Sequence, residues 1–249
     1  MNSLTPHGEP PRYFTFPALT AAGLPHASTT RHCPGVTSPS EPPSPFTPEA
    51  RDTLAAAGLD LARVAYARQV HGADVAHVTR GGVAGAVDVL STAARGVPLA
   101  IFTADCLAIT LWDAEASVLA LAHVGWRGTA KSAAAAAVSA TTALGARAAR
   151  LRAAIAPSIG PCCYEVDEPV AGDFTRAFGR ARWERWTRPS AGGRALLDLW
   201  TANEELLAEA GVDPARIENP RLCTACHPDL LYSYRKGNRG RLVTVAALP

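Results

Sequence analysis

The stretch VPLAIFTADCLAITLW, residues 97–112, constrains the fold more than any other part of the chain. It is apolar except at Asp105, and a polar turn at 113–116 separates it from a second apolar run, SVLALAHVGW, at 117–126. Two such runs, each too short to span a bilayer and joined by a tight turn, predict adjacent buried strands paired as a hairpin. The Ala-rich segment that follows, with Thr129 near its start and Gly145 at its end, predicts a helix.

Around this centre the pattern predicts helices at 49–58, 166–178 and 196–210, and strands near 64–70, 74–78, 151–156, 222–224, 231–234 and 242–248. Helices and strands are mixed rather than strictly alternating, which favours an α/β (α+β) body with mixed sheets over a regular parallel sheet. Residues 34–48 are dense in Pro and Ser and read as a long surface loop, and residues 1–20 read as loose. One domain over 1–249 is expected, since 48% hydrophobic and 18% charged residues suffice for a sizeable core.

A net charge of +2 is too small for the phosphate neutralisation that nucleic-acid binding rests on. With no apolar segment long enough to span a membrane and no secretion signal at its start, the chain is expected in the cytoplasm. Six cysteines then read as thiols or metal ligands rather than a disulfide scaffold.

Two of the seven histidines stand out. His71 in RQVHG and His123 in ALAHVGWRG each lie where an apolar strand gives way to glycine, a place where folds present side chains to a cleft. Taken singly, each reads more readily as a core histidine bonded to a neighbour. Cys106 is likewise an ordinary buried thiol on its own. The predicted hairpin, however, sets Cys106 about opposite His123. A thiolate with two imidazoles suits zinc or copper, and three protein ligands leave a fourth position open. Alternation points Asp105 away from Cys106, as an orienting group rather than a ligand.

GWRGTAKS does not have the spacing of a phosphate-binding Walker loop. Its glycine turn, helix start and Arg127 could still bind an anion, or could simply form a structural turn around Trp126. Cys223-Thr-Ala-Cys226-His227 spells a haem-attachment pattern, yet it lacks the export signal that haem attachment needs. His7-Gly8-Glu9 with Cys223 and Cys226 mimics a zinc-deaminase signature, but its halves sit at opposite ends of the chain. A bridge between the adjacent Cys162 and Cys163 would be strained.

With STTR (28–31), QVHG (69–72), TADC (103–106), AHVGWRGTA (122–130), IGPCCYEV (159–166), LDLWTANEELL (197–207) and SYRKG (233–237) in order, the sequence resembles the YfiH/YlmD laccase-domain family. Its members are also called multicopper polyphenol oxidases, purine nucleoside phosphorylases and peptidoglycan editing factors. The resemblance implies a CNF1/YfiH-like α/β/β/α sandwich with mixed sheets. It also implies a metal, zinc or copper, on His71, Cys106 and His123, with Cys106, His123 and Asp105 at the reacting centre. The implied activity is phosphorolysis of purine nucleosides (adenosine, inosine, guanosine, methylthioadenosine) with companion adenosine deamination. Purine nucleosides and phosphate would then be the partners. Arg31, Arg127 and Arg235 are the candidates for anion contacts. A Cys–His hydrolase acting on peptidoglycan precursors is the alternative, and a structural zinc module is a third reading. Multicopper oxidation needs more histidines than seven can spare. The Pro/Ser-rich insert and His32-Cys33 after Arg31 depart from the family pattern, which bears on the rim of the pocket.

Overall fold

The hairpin forms: strands Leu107–Asp113 and Val118–Val124 pair antiparallel, from Val118 opposite Asp113 to Val124 opposite Leu107. The upstream half of the first apolar run does not continue it. In the computed structural model, which describes residues 4–36 and 45–249, residues 97–112 divide into two strands in two different sheets. Leu99–Thr103 lies in a seven-stranded sheet and Leu107–Asp113 in a six-stranded one, so Ala104-Asp105-Cys106 is the crossover between them. Both strands are buried on both faces, which is why the run reads as one apolar segment.

Side-chain alternation explains the layers. Leu107, Ile109, Leu111, Val118, Ala120, Ala122 and Val124 pack against helices Ala133–Ala143, Glu168–Phe178 and Leu199–Glu209. The opposite face, with Ala108, Trp112, Leu119 and Leu121, meets Leu99, Ile101 and Ala246 of the other sheet. Beyond that sheet, Ala100, Phe102, Val243 and Val245 cover Ala50 and Leu54 of helix Pro48–Ala55. The order is helix, sheet, sheet, helices. Both large sheets mix parallel and antiparallel pairs, as expected.

Several expectations need correction. Residues 4–20 are not loose: Thr5–His7 pairs with Tyr13–Thr15, and Phe16 and Leu19 are each 1% exposed. The prolines around this segment concealed the run Tyr13-Phe14-Thr15-Phe16, which supplies a buried strand. Of the Pro/Ser-rich segment, residues 37–44 lie outside the described residues, and its flanks meet in a bridge between Val36 and Phe46. The Ala-rich helix starts as a short helix, Trp126–Ala130, and resumes at Ala133 after Ser132 takes a left-handed φ of 61°. Residues 222–224 make only a single bridge, from Cys223 to Ser158, and residues 231–234 are not a strand. Pro228 and the two-cysteine turn interrupt any ladder there. Among the described residues no helix is long and apolar enough to cross a membrane.

One buried carboxylate anchors the hairpin turn. Asp113 accepts hydrogen bonds from the Glu115, Ala116 and Arg147 amides and from the Arg150 guanidinium at 2.9 Å. Burial raises its pKa, but these donors outweigh burial and hold it below the ordinary carboxylate range. Its contribution is therefore complete above the unfolded-state pKa and lost as pH falls through the lower folded-state value. Asp113→Ala should cost about 3 kcal/mol in urea unfolding near neutral pH, with the difference from wild type shrinking as the pH falls below the ordinary aspartate range. A pH-independent difference would contradict this account.

Candidate metal centre

His123 is the penultimate residue of Val118–Val124, on the face between the two sheets. The neighbouring strand Val89–Thr92 pairs Val89 with Ala122, which sets Asp88 beside His123. Asp88 is fully buried. Its Oδ1 lies 2.7 Å from His123 Nδ1, and the His123 amide donates to the Asp88 carbonyl at 2.8 Å. A carboxylate at Nδ1 holds the proton there and leaves Nε2 free to ligate a metal.

The same carboxylate builds the loop that carries His71. The amides of Val70, His71 and Gly72 donate to Asp88 at 3.1, 3.0 and 2.6 Å. On the other side, Gln69 pairs with both backbone groups of Phe102, at 2.7 and 2.8 Å. Between these anchors His71 takes a positive φ of 59°, a conformation that costs of order 1 kcal/mol or more and needs such support. Its ring stands edge-on to that of His123, with centroids 4.8 Å apart.

Cys106 enters from the crossover. Its thiol and the ring nitrogens of His71 and His123 all lie within 4.8 Å of one another. An ion at about 2.3 Å from sulfur and about 2.0 Å from nitrogen fits such spacing. Gly125 makes room: a Cβ there would sit 2.6 Å from Cys106 Sγ and 3.4 Å from the His71 ring. Burial raises the Cys106 pKa, but the imidazoles of His123 and His71 outweigh it and bring the thiol down to about 6. Burial lowers the pKa of His123, but Asp88 and Cys106 outweigh it and raise the imidazole to about 9. The cluster thus favours a thiolate, the form that binds a metal.

Asp105 is bonded away from the two imidazoles and bears on the cluster only through its chain neighbour Cys106. Its carboxylate accepts from Thr224 Oγ1 at 2.7 Å and from the Arg235 amide at 2.9 Å, pinning the crossover to the C-terminal loops. Asp88 holds the orienting position instead. The signal that singled out Asp105, one charge at the mouth of an apolar run, is equally present at Asp88 in GAVDVL.

A cavity of about 540 Å³ opens on the cluster, lined by His71, Cys106 and His123 with Arg68, Val83 and Arg241 among others. Of the expected anion contacts, none lines it. Arg31 donates to the Pro228 carbonyl and lies over Tyr232. Arg127 stacks on Trp126, and Arg235 donates to the Glu165 carbonyl over the Tyr164 ring. Trp126, Tyr164 and Arg235 line a separate hollow. Burial foremost, and then the Cys106 charge, raise the Tyr164 pKa, so the phenol stays protonated.

Two packed mixed sheets with an open cluster of two histidines and a cysteine at their crossover define a mixed α/β protein suited to a transition metal. The chain belongs to the multi-copper polyphenol oxidoreductase laccase family, whose model matches residues 47–249. It is 39% identical to the purine nucleoside phosphorylase of Deinococcus radiodurans over 246 residues, covering 94% of this chain and 93% of that one. It is 34% identical to adenosine deaminase RL5 from an unknown prokaryotic organism, covering 79% of each. The fold matches the crystal structure of Bacillus licheniformis hypothetical protein YfiH with a TM-score of 0.85 at 26% identity, over 100% of both chains. It also matches YlmD from Geobacillus stearothermophilus, with a TM-score of 0.84 at 29% identity over 99% of each chain.

Asp88→Asn keeps the shape but removes the charge that fixes the His123 tautomer. It should weaken zinc binding roughly 10- to 100-fold in competition with a chromogenic chelator, with the circular dichroism of the folded state retained. Unchanged affinity would contradict the assigned role.

Proposed function

We propose that this chain is a metal-dependent purine nucleoside phosphorylase acting on adenosine, inosine, guanosine or methylthioadenosine, with adenosine deamination in the same cavity. The observation that carries the reading is the meeting of His71, Cys106 and His123 with Arg68 and Arg241 in one cavity of about 540 Å³. That volume falls within the roughly 300–1,000 Å³ usual for small-molecule sites. The names of the relatives supply the nucleoside.

In phosphorolysis a phosphate oxygen bonds to C1′ of the ribose while the bond from C1′ to the base nitrogen breaks. The base leaves with the electron pair and is then protonated. A bound zinc would supply Lewis acidity at the open face of the cluster. Asp88 keeps the His123 proton on Nδ1, so Nε2 would be free to hold the zinc. Arg68 and Arg241 hold the phosphate in the cavity, in place of the solvation it loses. Val83, 64% exposed, offers apolar surface to the base. Arg235, in the separate hollow beside Tyr164, and Arg127, over Trp126, add positive charge outside the cavity. Asp105 acts at one remove, by positioning Cys106. Arg31 is held on the Pro228 carbonyl and over Tyr232, outside the cavity lining, rather than touching phosphate.

A second reading, a Cys–His hydrolase acting on peptidoglycan precursors, is favoured by one observation. A thiol lowered to about 6 beside an imidazole raised to about 9 is a ready nucleophile and acid when no metal is bound.

Incubating the zinc-loaded protein with adenosine should release adenine and ribose 1-phosphate only when phosphate is present. His71→Ala should lower kcat/KM by roughly 100-fold, the scale of losing one electrostatic contributor. Zinc-loaded protein that forms no phosphate-dependent product would contradict the proposal. Activity that survives chelation and is abolished by alkylating Cys106 would favour the hydrolase.

A further inference from the structure

Four of the six cysteines lie outside this centre and gather at one point. Cys162 and Cys163 come from the loop before Glu165–Val166, and Cys223 and Cys226 come from the loop that Ser158 bridges to Cys223. Their four sulfurs lie within 4.8 Å of one another. Cys226 Sγ is 3.4 Å from Cys162 Sγ and 3.5 Å from Cys163 Sγ, so it favours neither as a bonding partner. A tetrahedron with metal–sulfur bonds of about 2.3 Å has sulfur–sulfur edges of about 3.8 Å. The two shortest sulfur–sulfur distances, 3.4 and 3.5 Å, lie just under that edge, and none of the others exceeds 4.8 Å.

A second, independent observation comes from the backbone. The Gly160 amide donates to Cys223 Sγ at 3.3 Å, so this sulfur has a backbone donor from the loop that carries Cys162 and Cys163. The Cys226 amide donates to the Cys223 carbonyl at 3.2 Å, which closes Cys223-Thr-Ala-Cys226 into a turn and brings its two sulfurs to one side. Amide donors serve a thiolate better than a thiol, and in metal sites such contacts orient and stabilise the ligating sulfur. Cys162 and Cys226 are exposed, where unligated thiols are open to oxidation. Four thiolates at this spacing repel one another, and a dication removes that repulsion.

We propose that Cys162, Cys163, Cys223 and Cys226 form a structural zinc site, separate from the His71, Cys106 and His123 centre. Zinc displaces the four thiol protons and is held by four sulfurs, with no position left open for substrate. The ligand pattern is one Cys-x-x-Cys turn facing an adjacent Cys-Cys pair. This pairing becomes feasible because Cys163 and Tyr164 both donate to the Gly160 carbonyl, curling the loop around the site. The site joins the two loops that hold the crossover: Thr224 bonds the Asp105 carboxylate, and the Ile159 amide donates to the Asp105 carbonyl at 2.9 Å. It therefore steadies Cys106 from behind.

Metal content and zinc-edge X-ray absorption test this without reference to activity. Wild-type protein purified with zinc should carry two zinc ions per chain. The variant H71A/C106S, which keeps the Asp88–His123 pair, should retain one, with a shell of four sulfurs at about 2.3 Å. C162S/C226S should retain the other, with a mixed nitrogen and sulfur shell. If C162S/C226S does not fold, the sulfur shell of H71A/C106S still decides. A single zinc in wild type with a mixed nitrogen and sulfur shell, complete loss of zinc from folded H71A/C106S, or an intact mass short by two hydrogens from a disulfide among the four cysteines would overturn the proposal.

Discussion

The contact between the Asp88 carboxylate and the His123 imidazole organises the candidate metal centre. Asp88 is fully buried, and a buried charge is tolerated only where partners replace its hydration. Here those partners are His123 and three consecutive amides of the loop that carries His71. One carboxylate thereby sets the tautomer of one candidate ligand, His123, and the backbone of another, His71. Burial opposes its ionisation, and the His123 contact with the Gly72 and Val70 amides reverses that and holds its pKa below the ordinary range. Truncating such a partner typically costs about 3–5 kcal/mol, so the centre and the stability of this sheet edge are coupled.

The third ligand depends on the architecture. Cys106 reaches the cluster because the chain leaves one sheet and enters the other at Ala104-Asp105-Cys106. The crossover is held from behind by Thr224, Ile159 and Arg235, and in front Gly125 leaves space for the sulfur. Three candidate ligands from separate stretches of sequence thus meet where the two sheets come together. A strand end and two sharply bent segments supply them, all anchored by buried hydrogen bonds.

The hairpin, the helices at 168–178 and 199–209 and the mixed sheets were legible because alternation and capping are local signals. The division of residues 97–112 was not. Strands buried on both faces carry no alternation to mark where one sheet ends, and Asp105 was the only punctuation. His71, Cys106 and His123 were found by resemblance as well as by residue type, whereas Asp88 was missed because it meets His123 through strand register across 35 residues. Arg68 and Arg241 were missed for a similar reason. Nothing in their own segments marks the cavity wall they share. The prolines near the N-terminus outweighed Tyr13, Phe14 and Phe16 in the reading of composition, although those three residues decide the packing.

The central claim is that Asp88 sets His71, Cys106 and His123 as a metal centre open to the cavity. An anomalous difference map from crystals of the zinc-loaded protein, collected above the zinc edge, tests it most directly. The account predicts a peak at about 2.0–2.3 Å from Cys106 Sγ, His123 Nε2 and a ring nitrogen of His71, with a fourth position facing the cavity and Asp88 still bonded to His123 Nδ1. Absence of that peak, or an ion ligated by Asp88 or by His123 Nδ1, would contradict it.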